Sequence, residues 1–127
     1  MKTAPGSCTT YNVIYLVLCK ICGKPYVGRT NRLLRDRIGE HRRAFYQVIK
    51  GNKIDLNNDD FSIGMHLHSD HGLVDRLDFN RHCTVCIIDN ASPNRIELKE
   101  HKYIHLLKTL RPMGMNTNNP FKIPMFH

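Results

Sequence analysis

The stretch "NVIYLVLCKICGKPYVGRT", residues 12–30, decides the fold. Its first eight residues are rich in β-branched and apolar types, too few for a helix, and stop at a turn, which is the pattern of a buried strand. The segment "KPYVGRT", residues 24–30, reads as a second strand, so Cys19 to Gly23 become the turn of a hairpin. Tyr15 and Tyr26 then sit on the two arms, where they can face each other across the hairpin. Taken alone, they are ordinary strand aromatics. The turn says more. Two thiols in Cys-Lys-Ile-Cys, followed by glycine, suit one half of a tetrahedral zinc site, which needs two further ligands.

Candidates for those ligands cluster downstream in "HLHSDHG", residues 66–72. His66 and His71 are the preferred pair, and His68 is the alternative to His66. A site closed by Cys19, Cys22, His66 and His71 would be structural, stapling the hairpin turn to the middle of the chain, as small domains often require. The plainer reading is a redox or inert CxxC beside surface histidines. A second pair, Cys83 and Cys86, lies inside an apolar strand and reads as core, because free cysteine is commonly buried.

Length and charge set the frame. The 127 residues suit one domain, 41% hydrophobic and able to bury a small core. Nineteen Lys and Arg against eleven Asp and Glu give a net charge of +8, which suits a polyanion such as nucleic acid or an acidic membrane surface. A merely soluble basic domain is the plainer alternative. No run of 18 apolar residues spans a membrane, and "MKTAPGSCTT" lacks the apolar stretch of a signal peptide. Five cysteines with two CxxC pairs fit metal binding or free thiols in a reducing, intracellular setting.

Beyond the hairpin, Asn31 can cap a basic amphipathic helix over residues 31–50, with Leu34, Ile38, Phe45 and Ile49 at helical spacing. The segment "KGNKIDLNNDD", residues 50–60, reads as a loop and 60–68 as a short helix. "FNRHCTVCIID", residues 79–89, reads as a third strand. A last helix opens at Ser92-Pro93 and stops near Leu110, before Arg111-Pro112. The predicted fold is α+β: a small antiparallel three-stranded sheet flanked by helices. Residues 1–11 are expected to be a flexible leader, 12–116 the domain, and 117–127 an irregular tail.

Two helical positions stand out. Glu100 falls on the apolar stripe of Ile96, Tyr103, Ile104 and Leu107. Burying a lone carboxylate is costly without a cation or hydrogen bonds. Glu100 is therefore either a stripe-edge residue that swings to solvent or pairs with lysine, or a ligand for a hard divalent metal. In the first helix, Arg37 and His41 are four apart and share a face. A guanidinium there can grip phosphate oxygens with two donors, or simply belong to a solvated basic face.

Together these residues resemble the GIY-YIG nuclease family. "VIY" (Val13-Ile14-Tyr15) stands for the first triplet and "YVG" (Tyr26-Val27-Gly28) for the second. "RIGEH" (residues 37–41) is similar to the first-helix motif, and "IELKEHKYIHLLKTLRPMGMN" (residues 96–116) to the carboxylate helix and its following asparagine. The CxxC between the tyrosine motifs, with histidines downstream, looks like the endonuclease domain of Penelope-like retroelements, where it follows a reverse transcriptase. The resemblance implies hydrolysis of a phosphodiester in double-stranded DNA. It implies Tyr26 as water activator, directly or through a hydrogen-bonded relay, and Arg37 as stabiliser of developing charge, with Arg35 as the alternative. It implies Glu100 as ligand of one Mg²⁺ or Mn²⁺, Tyr15 and His41 as orienting groups, Asn116 as a structural residue, and a nuclear location.

Arg32, Arg35, Arg42 and Arg43 on the first helix, with Arg29, are the expected contacts to the DNA backbone, giving salt-dependent binding. The competing reading is a zinc-stabilised nucleic-acid-binding module without catalysis, in which Glu100 is an ordinary helix residue. A membrane-surface role would need an apolar face left exposed, and the apolar stripes are required for the core.

Overall fold

The computed structural model describes residues 10–117, so most of the expected leader and tail lies outside the described residues. Strands β1 (Val13–Cys19), β2 (Pro25–Thr30) and β3 (Cys83–Asn90) form one sheet in the order β2-β1-β3, with β1 antiparallel to both neighbours. The fold is α+β, as the sequence predicts. Alternation along β1 sorts side chains into two cores. Val13, Tyr15 and Val17 join Tyr26, Leu34, Ile38, Phe45, Ile63 and Leu67 on one face. Ile14 and Val27 join Ile96 and Ile104 on the other.

The helices keep their expected faces but shift their ends. Helix α1 spans Leu34–Ile49, and Asn31 does not cap it. The Thr30 hydroxyl accepts the Arg32 N–H and turns the chain there, and the Thr10 carbonyl takes the Leu34 N–H, 2.9 Å away. Backbone thus satisfies the donor that a capping side chain would have taken. In place of one short helix over 60–68, the chain forms a 3-10 turn at Asp59–Phe61, helix α2 at Ser62–Met65 and a π turn at His66–Asp70. A Cβ on Gly64 would lie 2.7 Å from the Phe45 Cα, so glycine lets α2 press directly on the α1 backbone.

The expected third strand over 79–89 is helical in its first four residues. Residues Asp78–His82 form helix α3, and β3 starts only at Cys83. Asp75 accepts the Leu77 N–H through its side chain and the Asp78 N–H through its carbonyl, which starts a helical turn ahead of the strand. Helix α4 covers Ile96–Leu107. Ser92 to Arg95 form a turn closed by the Arg95 N–H on the Ser92 carbonyl, and Lys108 ends the helix in the left-handed conformation, φ 52°. The stripe is shorter than expected: Ile96 and Ile104 are buried, and Leu107 is 44% exposed.

Strand β2 is a sheet edge, and the chain's later part covers it. The Asn116 side chain accepts from the Val27 N–H (2.8 Å) and donates to the Val27 carbonyl (2.9 Å), and the Met115 N–H donates to the Pro25 carbonyl. An unpaired edge is thereby closed by an amide imitating a strand. Among the described residues, no helix is long and apolar enough to cross a membrane.

Candidate active site and metal cluster

The hairpin tip gathers four ligands. Gly23 takes a positive φ of 80°, and its N–H donates to the Cys19 carbonyl, which closes the turn and brings Cys22 back beside Cys19. His66 and His71 are five apart, and an α-helix would splay them by about 140°. The π turn between them, bonded i to i+5, returns both to one side. Cys19 Sγ lies 3.5 Å from His71 Nε2, Cys22 Sγ 3.3 Å from His66 Nε2, and the two Nε2 atoms are 3.2 Å apart.

All four ligand atoms fall within 4.8 Å of one another. Tetrahedral zinc, with bonds of roughly 2.3 Å to sulfur and 2.0–2.1 Å to nitrogen, spaces its ligands about 3.3–3.8 Å apart. The group can hold zinc. His66 Nδ1 faces Asp70 Oδ2 at 2.8 Å, the carboxylate contact that fixes the tautomer of a ligating histidine. His68 points elsewhere, with Nδ1 3.0 Å from the Leu73 carbonyl. Cys83 is buried beside Cys19 in the sheet register, and burial pushes its thiol up to about 12; Cys86 is half-buried in the same strand.

Toward the other end of the hairpin, a cleft of about 500 Å³ opens at the β2 edge. Tyr26, Arg29 and Thr30 of β2 line it, together with Arg37 of α1, Asp59 of the 3-10 turn and Glu100 of α4. Edge position matters here: Tyr26 comes from the α1 side of the sheet and Glu100 from the helix on the opposite face. Tyr15 and Tyr26 are not directly opposed. Tyr15 pairs with Gly28 and Tyr26 with Val17, so the phenols meet on a diagonal, ring centroids 6.3 Å apart. A Cβ at Gly28 would fall 2.3 Å from the Tyr15 ring, which therefore lies flat over that glycine.

The phenols, guanidinium groups and carboxylates all have partners, and His41 Nδ1 is buried without one among the described residues. Tyr15 Oη and His41 Nε2 are 2.7 Å apart, and Tyr26 donates to Asp59 Oδ2 at 2.7 Å. Arg37 donates to Asp60 (2.6 Å) and Glu40 (2.9 Å), and Arg29 Nε donates to Glu100 Oε1 (2.9 Å). Burial raises both phenols well above their ordinary range, although Arg37 pulls the other way, so both stay protonated. Burial, then Arg37, drives His41 down to about 3, leaving a neutral ring. Burial pushes Glu100 up to about 7 against the opposing pull of Arg29. The carboxylate is short of compensation, and one cation more would stabilise its charged form.

The arginines divide. Arg37 is 15% exposed and lines the cleft, whereas Arg35 is 63% exposed and lines a separate groove with Arg32, Arg42 and Arg43. Arg29, expected on the DNA-contacting surface, is tied to Glu100, and Arg32 is tied to Glu40 at 2.8 Å. Sequence reading passed over Asp59, Asp60 and Asp70. The only signal for the first two was "NNDD" before an apolar run, and that marks a turn: Asn58 accepts the Asp60 N–H. Comparison of the chain with protein-family models, curated proteins and solved structures finds no match.

Proposed function

We propose that this chain is a metal-dependent DNA endonuclease domain of the GIY-YIG kind, most like that of Penelope-like retroelements, nicking double-stranded DNA in the nucleus as part of a protein that also carries a reverse transcriptase. One observation carries the reading: a phenol, a guanidinium and a carboxylate from three separate elements line a single solvent-open cleft on a chain of net charge +8. That set is what phosphodiester hydrolysis needs, with a group to handle the water's proton, a fixed cation for phosphoryl charge and an anchor for a divalent metal.

The donor set at Glu100 fits Mg²⁺ or Mn²⁺: one carboxylate beside an open cleft suits a hard cation that keeps most of its water. When bound, such an ion polarises the phosphate and eases departure of the leaving oxygen. The rest falls to the chain. Arg37, steadied by Asp60 and Glu40, presents its guanidinium to the phosphoryl oxygens. His41 stays neutral and holds the Tyr15 hydroxyl, and both set the position of Tyr26, whose ring centroid is 5.2 Å from that of His41. Tyr26 stays protonated, so it works as a relay and not as a free phenolate. Arg29 holds the Glu100 carboxylate, which would have to be shared with a bound cation. Zinc at the hairpin tip is architectural.

The Arg29–Glu100 ion pair favours a second reading, a zinc-stabilised nucleic-acid-binding module in which Glu100 is only a counter-ion. A plasmid-nicking assay with Mg²⁺ or Mn²⁺ and an EDTA control separates the two. Wild type is expected to nick, EDTA to stop it, and Glu100→Ala to abolish it with zinc content and melting temperature retained. Nicking retained by Glu100→Ala removes the metal assignment, and a wild type that binds DNA without cutting it installs the second reading.

A further inference from the structure

We infer that Asp59 is the proton acceptor behind Tyr26, completing a water–Tyr26–Asp59 relay; this rests on the endonuclease reading and adds to it a residue that no motif marks. The Tyr26 hydroxyl points its proton at Asp59 Oδ2 over 2.7 Å, and both residues line the cleft. A buried phenol is a poor base on its own, because it must take a proton before it has anywhere to put the one it holds. A carboxylate within hydrogen-bond reach removes that obstacle.

The surroundings keep Asp59 in place for this. Its other oxygen, Oδ1, accepts from the Ser62 hydroxyl (2.9 Å) and the Thr117 hydroxyl (3.2 Å), so Oδ2 is left to Tyr26. The turn that carries it is pinned from α1 by the Arg37–Asp60 pair and started by the Asn58 side chain. Among the described residues, no guanidinium is bonded to Asp59, whereas Asp60, Glu40 and Glu100 each hold one. Among the acidic groups around the cleft, Asp59 is thus the one whose hydrogen-bond partners are all hydroxyl and backbone groups.

In the step itself, the attacking water passes one proton to Tyr26 Oη while the phenolic proton moves to Asp59 Oδ2. The water oxygen forms its bond to phosphorus, the phosphorus–oxygen bond on the far side breaks, and the departing alkoxide takes up a proton from solvent. Asp59 later returns its proton to solvent, so protons balance. Tyr26 touches the water; Asp59 acts through it and is a positioning residue in that sense.

The test compares single-turnover cleavage of plasmid DNA by wild type, Asp59→Asn, Tyr26→Phe and the double variant, with Asp75→Asn as control and a ¹³Cζ-tyrosine NMR spectrum of each. Asparagine can still accept the Tyr26 hydrogen bond but cannot take the proton. The expected result is a fall of about 100-fold in the saturating single-turnover rate constant for Asp59→Asn, with the half-saturating enzyme concentration unchanged. No further loss is expected when Asp59→Asn is added to Tyr26→Phe, because the two act in series. Asp75→Asn, just ahead of α3 and away from the cleft, keeps an acceptor for the Leu77 N–H and should cleave at the wild-type rate. A merely structural Asp59 would instead add its loss to that of Tyr26→Phe, and that result overturns the relay. Asp59→Asn cutting as fast as wild type overturns it too, with the endonuclease reading intact. The Tyr26 resonance should shift in Asp59→Asn whether or not the protein cuts DNA; an unmoved resonance would refute the contact itself. A wild type without cleavage, but with that shift, takes down the endonuclease reading and the relay with it.

Discussion

The two ends of one hairpin hold two polar clusters of different kinds. At the tip, Cys19, Cys22, His66 and His71 close on one another with their ligand atoms within 4.8 Å, leaving space for a single ion. Near the edge of β2, Tyr26, Arg29, Arg37, Asp59 and Glu100 are each tied to a partner around about 500 Å³ of open cleft, with Tyr15 buried behind them. Ligands that face inward on a common point make a staple, and groups that face a shared volume make a site for something larger. The same strands carry both, so the tip can set the register of the phenols without taking part in chemistry.

The sharpest way to break this contrast is to cross the two ends. Cys22→Ser should lose zinc, measured by metal analysis, and melt at lower temperature, because a structural zinc site contributes folding energy directly. Glu100→Ala should do the reverse: zinc and melting temperature kept, nicking gone. If Cys22→Ser kept both its zinc and its melting temperature, the tip would be no staple and the division of labour would fall.

A second cut separates groups within α1. Arg37→Ala should slow single-turnover cleavage by about 100- to 1000-fold, the usual loss when one fixed donor to developing charge is removed. Arg35→Ala should change cleavage little and only weaken DNA binding, with a shallower salt dependence in a titration. Equal losses would mean that the cleft has no privileged guanidinium.

The smallest effect concerns pH. His41 is held near 3 in the fold against about 6.5 in an unfolded chain. Between those values the unfolded chain binds a proton that the native protein refuses. Stability from His41 is therefore complete above about pH 6.5 and is lost as pH falls toward 3. His41→Gln should melt lower than wild type at pH 7, and the gap should narrow at pH 4.5 by on the order of 2–3 kcal/mol. A gap constant across that window in thermal melts would mean that His41 is not the neutral, buried partner of Tyr15.

What the sequence could announce was whatever local pattern writes down. Alternation in residues 13–19 and the Cys-x-x-Cys-Gly turn spelled the hairpin, and Glu100 betrayed itself as a charge on an apolar stripe. Asp59 and Asp70 did not, because acidic residues in loops look alike until tertiary contacts aim them. Arg29 looked like a surface cation, since nothing local tells a strand-end arginine that a carboxylate 71 residues later will meet it. Helix starts shifted for a similar reason: Asn31 is a good cap, but the Thr10 carbonyl, distant in sequence, took the donor first.

The Asn116 side chain that seals Val27 has a kinetic corollary. Its two bonds join residues 89 apart, so the strand bearing Tyr26 gains its outer support only from one of the last described stretches of the chain. On a ribosome, the hairpin can pair while the margin beside it waits bare for that amide to emerge. The cleft would then be the last part of the domain to set, long after its scaffold is in place.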